Sequence, residues 1–345
     1  MRPSVLYGRF PGNLIAITSG ILVALWIPNR APAAVTTATN SGSWHDSSVW
    51  NYGVPSDGDD AHVMAGRSIL LTNSTAFLAS LTISNNATLT FYGTGGAGTG
   101  IVLSATSIWV SGTITHGTNM ADNTNAAGAW VPDNCVWITG STMTVAAGAA
   151  VHGDMRGFRG GTNYTRGKGP GGTLGNVNST TGGAGYGGRG GDAGSAGGIE
   201  YGSVTHPFDP GSGSGADAGG GFAGGGLIRI ELDGALTVNG RISANGQNGN
   251  NRGGGGSGGG IYIACLTIEG SGLICANGGS NDCSYGSGGG GGGRIAVHYN
   301  TTAQSNLPGK PMLQIAANQG SGPPGSSGTG SWGCLLYTSP SPRDS

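Results

Sequence analysis

Three aspartates near the start of the chain are the first residues with recognisable chemistry. Asp57, Asp59 and Asp60 lie close together, and clustered carboxylates are ligands that calcium prefers. The run is not an EF-hand loop, because no late bidentate glutamate follows it. A solvated turn is the favoured interpretation. The sequence therefore predicts no metal site, with these three aspartates as the weak candidates for one.

Carboxylates that could cleave a polysaccharide are few. Such reactions need two paired carboxylates, or a base beside calcium. Glu231, Asp233 and Glu269 are the acids on predicted strands. Glu231 and Glu269 fall at different positions of their repeats, so no aligned pair emerges. We expect no catalytic residue and no bound cofactor in this fragment.

Arginines next to glycines and aromatic residues raise the question of nucleic-acid binding. Arg156, Arg159, Arg166 and Arg189 lie near Phe158, Tyr164 and Tyr186, as in boxes where arginine contacts phosphate and aromatic rings stack on bases. The whole chain has 15 basic and 16 acidic residues, which disfavours a polyanion partner. A predicted secretory signal peptide over residues 1–33 argues against a nucleic-acid partner as well, so none is expected.

Histidine and asparagine recur before glycine at the end of successive short strands. Aligning the strands places His116, His152, Asn245 and Asn277 at one corner. Stacked polar side chains can hydrogen-bond along the axis as a ladder. A histidine pair could instead bind a metal. The structural ladder is favoured, because no carboxylate occurs at the same position.

Two cysteines bracket a glycine-rich loop. Cys275 and Cys283 could form a disulfide that staples this loop, since export permits disulfides. Free, half-buried cysteines are the alternative. The spacing of cysteines and histidines does not suggest zinc.

The elements that must position these residues are short repeated strands. Ile228, Ile261 and Ile295 each open a copy of one pattern, about 34 residues apart, in which apolar residues alternate and the strand ends at a glycine. A fixed period in this range indicates stacked units rather than one globular core, and alternation is typical of strands. The sequence therefore predicts an all-β solenoid, whose coils bury apolar rows against one another.

Glycine makes up 75 of the 345 residues and is clustered. The runs at 154–226, 246–260 and 278–293 are predicted to leave the solenoid at the same corner. Glycine strands can pack closely as bundled polyproline-II segments, or they stay disordered. Both alternatives remain open from the sequence.

Both ends of the chain differ from the rest. Arg2 and Arg9, an apolar run and Ala31-Pro-Ala33 predict a secretory signal peptide over residues 1–33. Residues 334–345 resemble the translation of a sequencing adapter and are interpreted as an artefact. Between them we predict a cap with entry coils (34–92), coils (93–153), a glycine-rich insertion (154–226), repeats with glycine-rich loops (227–300) and a Pro/Gly/Ser-rich segment (301–333).

Residues Trp44 to Phe91 carry a resemblance. Two tryptophans, a proline and Gly58-Asp59 precede Leu81-Thr-Ile83 and Leu89-Thr-Phe91. This order resembles the entry module of secreted bacterial glycine-rich parallel β-helix surface proteins. More distantly, it is similar to the extracellular domain family named for its eight glycines. The resemblance implies a right-handed parallel β-helix whose entrance the two tryptophans cap.

These features together predict a secreted structural or adhesive protein of the cell surface or extracellular matrix, non-catalytic in this fragment. The expected partners are extracellular polysaccharide or surface proteins, with no membrane span after signal cleavage. The alternative is the N-terminal part of an extracellular carbohydrate-active β-helix enzyme, or a carbohydrate-binding protein.

Overall fold

The computed structural model describes residues 34–93, 100–120, 124, 130–176, 179–217, 219–281, 285–323 and 328–338. The predicted signal peptide, Cys283 and residues 339–345 of the predicted tail lie outside the described residues. Within the described part, the protein is all-β, with two parallel sheets.

The first sheet, here called the long sheet, has eleven strands in the described part of the chain. Its strands are β1 (Val35–Ala38), β3 (Asp60–Val63), β5 (Phe77–Ile83), β7 (Leu103–Val110), β9 (Val136–Val145), β11 (Leu227–Leu232), β12 (Ala235–Val238), β14 (Gly260–Cys265), β15 (Thr267–Glu269), β17 (Arg294–Tyr299) and β19 (Cys334–Thr338).

The second sheet has eight strands in the same described ranges. They are β2 (Gly42–Ser43), β4 (Ser68–Leu71), β6 (Thr88–Phe91), β8 (Thr113–His116), β10 (Ala150–His152), β13 (Arg241–Ser243), β16 (Leu273–Cys275) and β18 (Gln314–Ala316). A short 3-10 helix (Ser47–Val49) and one short α-helix, α1 (Thr301–Ser305), complete the regular elements.

The chain alternates between the two sheets. Each passage through the long sheet and then the second sheet, here called a rung, hydrogen-bonds in parallel to the rung before it. The repeat seen in the sequence is the pairing register itself: Ile228 lies opposite Ile261, and Ile261 opposite Ile295. Alternation of burial along each strand follows, because successive side chains point to opposite faces of a sheet.

The core lies between the two sheets and consists of apolar rows. In the long sheet, Ile83, Val110 and Val145 lie opposite one another and are fully buried. In the second sheet, Leu89, Ile114, Val151, Ile242 and Ile274 do the same. Full burial of each such side chain contributes about 1.5–3 kcal/mol.

Two tryptophans near the start of the described chain pack into this core. Trp44 and Trp50 pack edge to face with their ring centroids 4.8 Å apart, and both are buried. The indole Nε1 of Trp50 donates to the carbonyl of Trp44 at 2.7 Å. Asp46 caps the intervening 3-10 helix by accepting from the Ser48 N–H. This hydrogen bond lowers the pKa of Asp46.

At the other end, Cys334–Thr338 of the predicted adapter-derived tail forms β19, which pairs with β17. Strand addition uses backbone groups, so it tolerates many sequences. Before it, α1 takes the place of a strand beside β15. The Gln304 side chain accepts from the Ile268 N–H and donates to the Ile268 carbonyl, each at 2.8 Å.

The glycine-rich segments follow β10, β13, β16 and β18, and each leads back to the long sheet. They contain neither regular strand nor helix over most of their described length. Their backbones bond to one another instead. Gly183 donates to Gly191, Gly191 to Gly289, and Gly289 to Gly328, at 2.6–2.9 Å. We call this assembly, within residues 153–226, 246–260, 278–293 and 319–333, the glycine bundle.

Close approach explains why glycine is required here. A Cβ atom on Gly183 would lie 1.9 Å from the Gly289 carbonyl oxygen. On Gly255 it would lie 1.9 Å from the carbonyl oxygen of Gly279. Both contacts are with backbone, which cannot swing aside as a side chain can. Of the two alternatives left open by the sequence, the described parts of these segments are therefore ordered.

Replacing Gly255 by alanine should therefore destabilise the protein. We expect a loss of about 1–3 kcal/mol in the free energy of unfolding, because the added methyl group overpacks the bundle. Urea denaturation would measure it. Gly309→Ala is the matched control, since its Cβ would meet nothing within 4 Å. Equal stability of the two variants would contradict a close-packed bundle.

Candidate binding face

The outward side of the long sheet presents uncharged side chains in register. Trp109 on β7 lies opposite Thr82 on β5 and Thr144 on β9. Two residues earlier on β7, Ser107 lies opposite Ser80 on β5 and Thr142 on β9. Thr237 on β12 continues the first row beyond Thr144. We call these seven residues (Ser80, Thr82, Ser107, Trp109, Thr142, Thr144 and Thr237) the Trp109 face.

Trp109 is the large apolar side chain of this face and is 48% exposed. Its neighbours in the chain, Ile108 and Val110, are buried in the core, so alternation turns the indole outward. The indole Nε1 donates to the Ser111 hydroxyl at 2.8 Å. This bond holds the ring in place, so a ligand would meet a preset surface.

A second cluster lies further along the same outward side and combines charge with aromatic rings. The Arg229 guanidinium carbon lies 4.0 Å from the centre of the Trp137 ring and 4.5 Å from that of Phe208. Glu231 accepts from Arg229 at 2.8 Å and from the Trp137 indole at 2.9 Å. Phe208 also packs edge to face on Tyr262 at 5.0 Å. We call this the arginine cluster.

The arginine cluster fastens a loop of the glycine-rich insertion to the sheet. His298 donates from Nε2 to the Thr205 carbonyl at 2.9 Å, and the His206 ring stacks on Tyr262 at 5.5 Å. Because Arg229 and Glu231 neutralise each other and the rings cover them, these residues serve cohesion. The Trp109 face has no such covering loop among the described residues, which makes it the better candidate for binding.

The predicted corner ladder is continuous for the asparagines. Asn245 Oδ1 accepts from the Asn277 N–H, and Asn277 Oδ1 accepts from the Asn318 N–H, both at 2.8 Å. Asp154 begins the series, because its carboxylate accepts from the Asn245 N–H at 2.8 Å. The sequence alignment missed Asp154 and Asn318. Neither residue belongs to an Asn-Gly pair. The sequence signal that could have identified them is their distance in the chain from the end of the preceding strand.

The two histidines occupy different places from those predicted. His152 lies opposite Thr115, so His116 is one residue out of step with it. A shift of one residue moves a side chain to the other face of a sheet. His116 is accordingly fully buried, whereas His152 is half-buried, with Nδ1 4.0 Å from Asp154. They therefore do not form one row with the asparagines.

His116 instead links the second sheet to the return of the glycine-rich insertion. Its Nε2 accepts from the Leu227 N–H at 3.2 Å, so Nδ1 carries the proton that is donated to the Gly117 carbonyl at 2.7 Å. Burial lowers the pKa of His116 to about 3. The ring is therefore neutral and structural at physiological pH.

The three weak candidates for a metal site are engaged in hydrogen bonds with protein groups. Asp57 accepts from the Phe77 N–H at 2.8 Å, and Asp60 from the Ser80 hydroxyl at 2.5 Å. Asp59 accepts from the N–H and hydroxyl of Ser56 and from the Ala34 N–H. In the described part of the chain, no group of three or more His, Cys, Asp or Glu side chains could hold a metal ion.

The acids considered for catalysis lie in separate rows. Glu231 pairs with Thr139 and Ala264, while Glu269 pairs with Thr237. Asp233 is exposed in the turn between β11 and β12. These three positions do not present two facing carboxylates at equivalent places of neighbouring rungs.

The residues considered for RNA binding and for a disulfide are placed as follows. Phe158 and Tyr186 are buried, so they cannot stack on bases, and Arg189 pairs with Asp192 at 2.7 Å. Cys275 is buried, and the Asn245 side chain donates to its sulfur at 3.6 Å. Because Cys283 lies outside the described residues, the pairing with Cys275 stays a prediction.

Comparison with known proteins gives one match. The model of the G8 domain, an extracellular domain family, matches residues 44–127. The match includes Trp44, Trp50 and the β5 and β7 portion of the Trp109 face. No curated protein and no solved structure shows significant similarity to the chain. The similarity to an extracellular domain family is thus confirmed for the entry module, over about a quarter of the sequence.

The ladder makes a stability prediction. Asn245→Ala removes the acceptor of the Asn277 N–H and a donor to Asp154, so we expect a loss of about 1–3 kcal/mol in the free energy of unfolding. Urea denaturation would measure this loss. Asn306→Ala, at an exposed site at the end of α1, should change stability by less than about 0.5 kcal/mol. Similar losses in both variants would contradict the ladder.

His116 predicts a pH dependence. Its pKa is below the ordinary value of 6.5 in the folded protein, so between pH 6.5 and about 3 the unfolded chain binds a proton that the folded chain does not. Stability should therefore be highest above pH 6.5 and fall as the pH is lowered through this window, by up to about 1.4 kcal/mol per pH unit from this residue.

Urea denaturation at pH 7 and pH 4.5 would test this pH dependence. The free energy of unfolding should differ less between pH 7 and pH 4.5 in His116→Gln than in the parent chain. His45→Gln, at an exposed site, should leave this difference in stability unchanged. If His116→Gln shows the same difference in free energy of unfolding between the two pH values as the parent chain, the neutral ring of His116 is not the form that stabilises the fold.

Proposed function

We propose that this chain is an extracellular structural and adhesive protein, built as a right-handed parallel β-helix. The alternation of the chain between two parallel sheets, with each rung bonded to the one before, supports this fold. The G8 match supports an extracellular location. Among the described residues, no helix is long and apolar enough to span a membrane.

The observation that carries the structural role is the glycine bundle. Backbone hydrogen bonds join its segments to one another and to the rungs; for example, Gly225 donates to Ser257 at 2.8 Å and Gly259 to Ala244 at 2.7 Å. A folded bundle alongside the sheets would stiffen the stack against bending. This is a useful property for a stalk that displays a binding surface outside the cell.

The composition fits this role. Only 9% of the residues are charged, so the surface offers little attraction to nucleic acid. Extracellular polysaccharide and other surface proteins are the partners that such a stalk would meet.

The second candidate is the N-terminal part of an extracellular carbohydrate-active enzyme, or a carbohydrate-binding protein. The exposed indole of Trp109 within rows of hydroxyls favours a contact with sugar. Hydrolysis would need paired carboxylates, and Glu231 is held instead by Arg229 and Trp137. Binding without turnover is therefore the version of this candidate that agrees with adhesion.

The exported full chain, immobilised on beads, would test the proposed function. We expect the beads to be retained on surfaces coated with extracellular polysaccharide, and no reducing or unsaturated sugar ends to be released. Beads coated with heat-unfolded protein are the control. Release of sugar ends would replace the adhesive proposal with the enzymatic one, and failure of the beads to bind polysaccharide-coated surfaces or intact cells would refute adhesion.

A further inference from the structure

We propose that the Trp109 face binds an uncharged polysaccharide, with a sugar ring stacked on the Trp109 indole and its hydroxyls bonded to the threonines and serines around it. This inference deepens the adhesive proposal and rests on it, because it names the class of ligand and the surface that binds it.

Exposure is the first argument. Trp109 leaves about half of its surface in water, although the fold has buried sites for Trp44 and Trp50. Its side chain points away from the core, so core packing does not explain a tryptophan at this position. A large aromatic ring binds the apolar face of a sugar because stacking removes apolar surface from water.

Polar groups surround the ring on a regular lattice. Thr82 and Thr144 flank Trp109 on the adjacent strands, which places them about 4.8 Å away on either side. Ser107 precedes Trp109 by two residues, about 6.6 Å along the strand. Each hydroxyl can donate and accept. A sugar has the matching pattern, since its ring face is apolar and its rim carries hydroxyls.

Charge selects among polysaccharides. All seven side chains of the Trp109 face are uncharged. The nearest acid in the row of Ser80 is Asp60, which accepts from the Ser80 hydroxyl. The row of Trp109 runs from His62, beside Thr82, to Glu269, beside Thr237. A carboxylated or sulfated chain would meet no lysine or arginine on the face, so a neutral polysaccharide is the ligand that fits.

The size of the apolar area argues against a protein partner. A stable protein interface buries about 800 Å² on each side, and its centre usually contains several aromatic or large apolar residues. The Trp109 face offers a single large apolar side chain among small hydroxyl residues, and the exposed Phe77 of β5 lies outside it, in the row of Ser104. That arrangement suits one stacked sugar ring with its neighbours along a polysaccharide.

The test compares the full chain with three variants. Trp109→Ala removes the ring, Trp109→Phe keeps a smaller ring, and Tyr52→Ala removes an aromatic side chain that is 78% exposed elsewhere, in the N-terminal cap. Binding to microcrystalline cellulose, chitin and xylan would be measured by depletion from solution, with polygalacturonate as the acidic comparison. Melting curves would verify that each variant is folded.

We expect Trp109→Ala to weaken binding to at least one neutral polysaccharide ten-fold or more, Trp109→Phe to retain part of the affinity, and Tyr52→Ala to bind like the parent chain. If Trp109→Ala binds as well as Tyr52→Ala, the Trp109 face is not the site, although adhesion through another surface would survive. Preferential, salt-sensitive binding of polygalacturonate would overturn the neutral ligand. Failure of the parent chain to bind any coated surface would instead refute the adhesive proposal.

Discussion

Backbone hydrogen bonding between successive passages of the chain is the interaction on which the whole structure depends. Each strand completes the backbone pairing of the strand before it, from β1 to β19 in the long sheet and from β2 to β18 in the second. Buried backbone groups must be paired, because an unpaired one costs free energy comparable to a lost hydrogen bond. The same requirement governs the glycine bundle, where backbone groups of different segments pair with one another and a few hydroxyls, such as those of Thr173 and Thr181, supply further partners.

Register follows from this pairing and decides which side chains are available for function. Inward rows such as Ile83, Val110 and Val145 hold the sheets together. The side chains of the outward rows are available to contact a covering loop or a ligand. Where the glycine-rich insertion folds back over the sheet, the outward row containing Arg229 and Tyr262 becomes cohesive. Where no described loop covers it, the row containing Trp109 remains open, and the proposed polysaccharide site depends on that difference.

The glycine composition has a packing reason as well as a conformational one. At Gly255 the limit is the neighbouring backbone, since an added methyl group would overlap the Gly279 carbonyl. A bundle of this kind packs backbone against backbone, in place of the side-chain packing of an ordinary core. It can therefore enlarge and stiffen the protein while adding few charged or apolar side chains to the surface.

The sequence by itself determined the strands and much of their register. Alternation of apolar residues located strands β11 to β17, and the repeat of about 34 residues matched Ile228, Ile261 and Ile295, which lie opposite one another. It also indicated the similarity of the entry module to an extracellular domain family. These features are local or periodic, so each copy of the pattern carries the information.

Only the tertiary structure decided the rest. The one-residue offset between His116 and His152 depends on how β8 and β10 pair. Asp154 joins the ladder because β10 pairs with β13, which places the residues that follow the two strands beside each other. The order of the glycine segments, and the exposure of Trp109 beside a covered Arg229, depend on contacts between residues far apart in the chain. A local pattern does not encode such contacts, because backbone groups are the same at every glycine and only the assembled fold selects their partners.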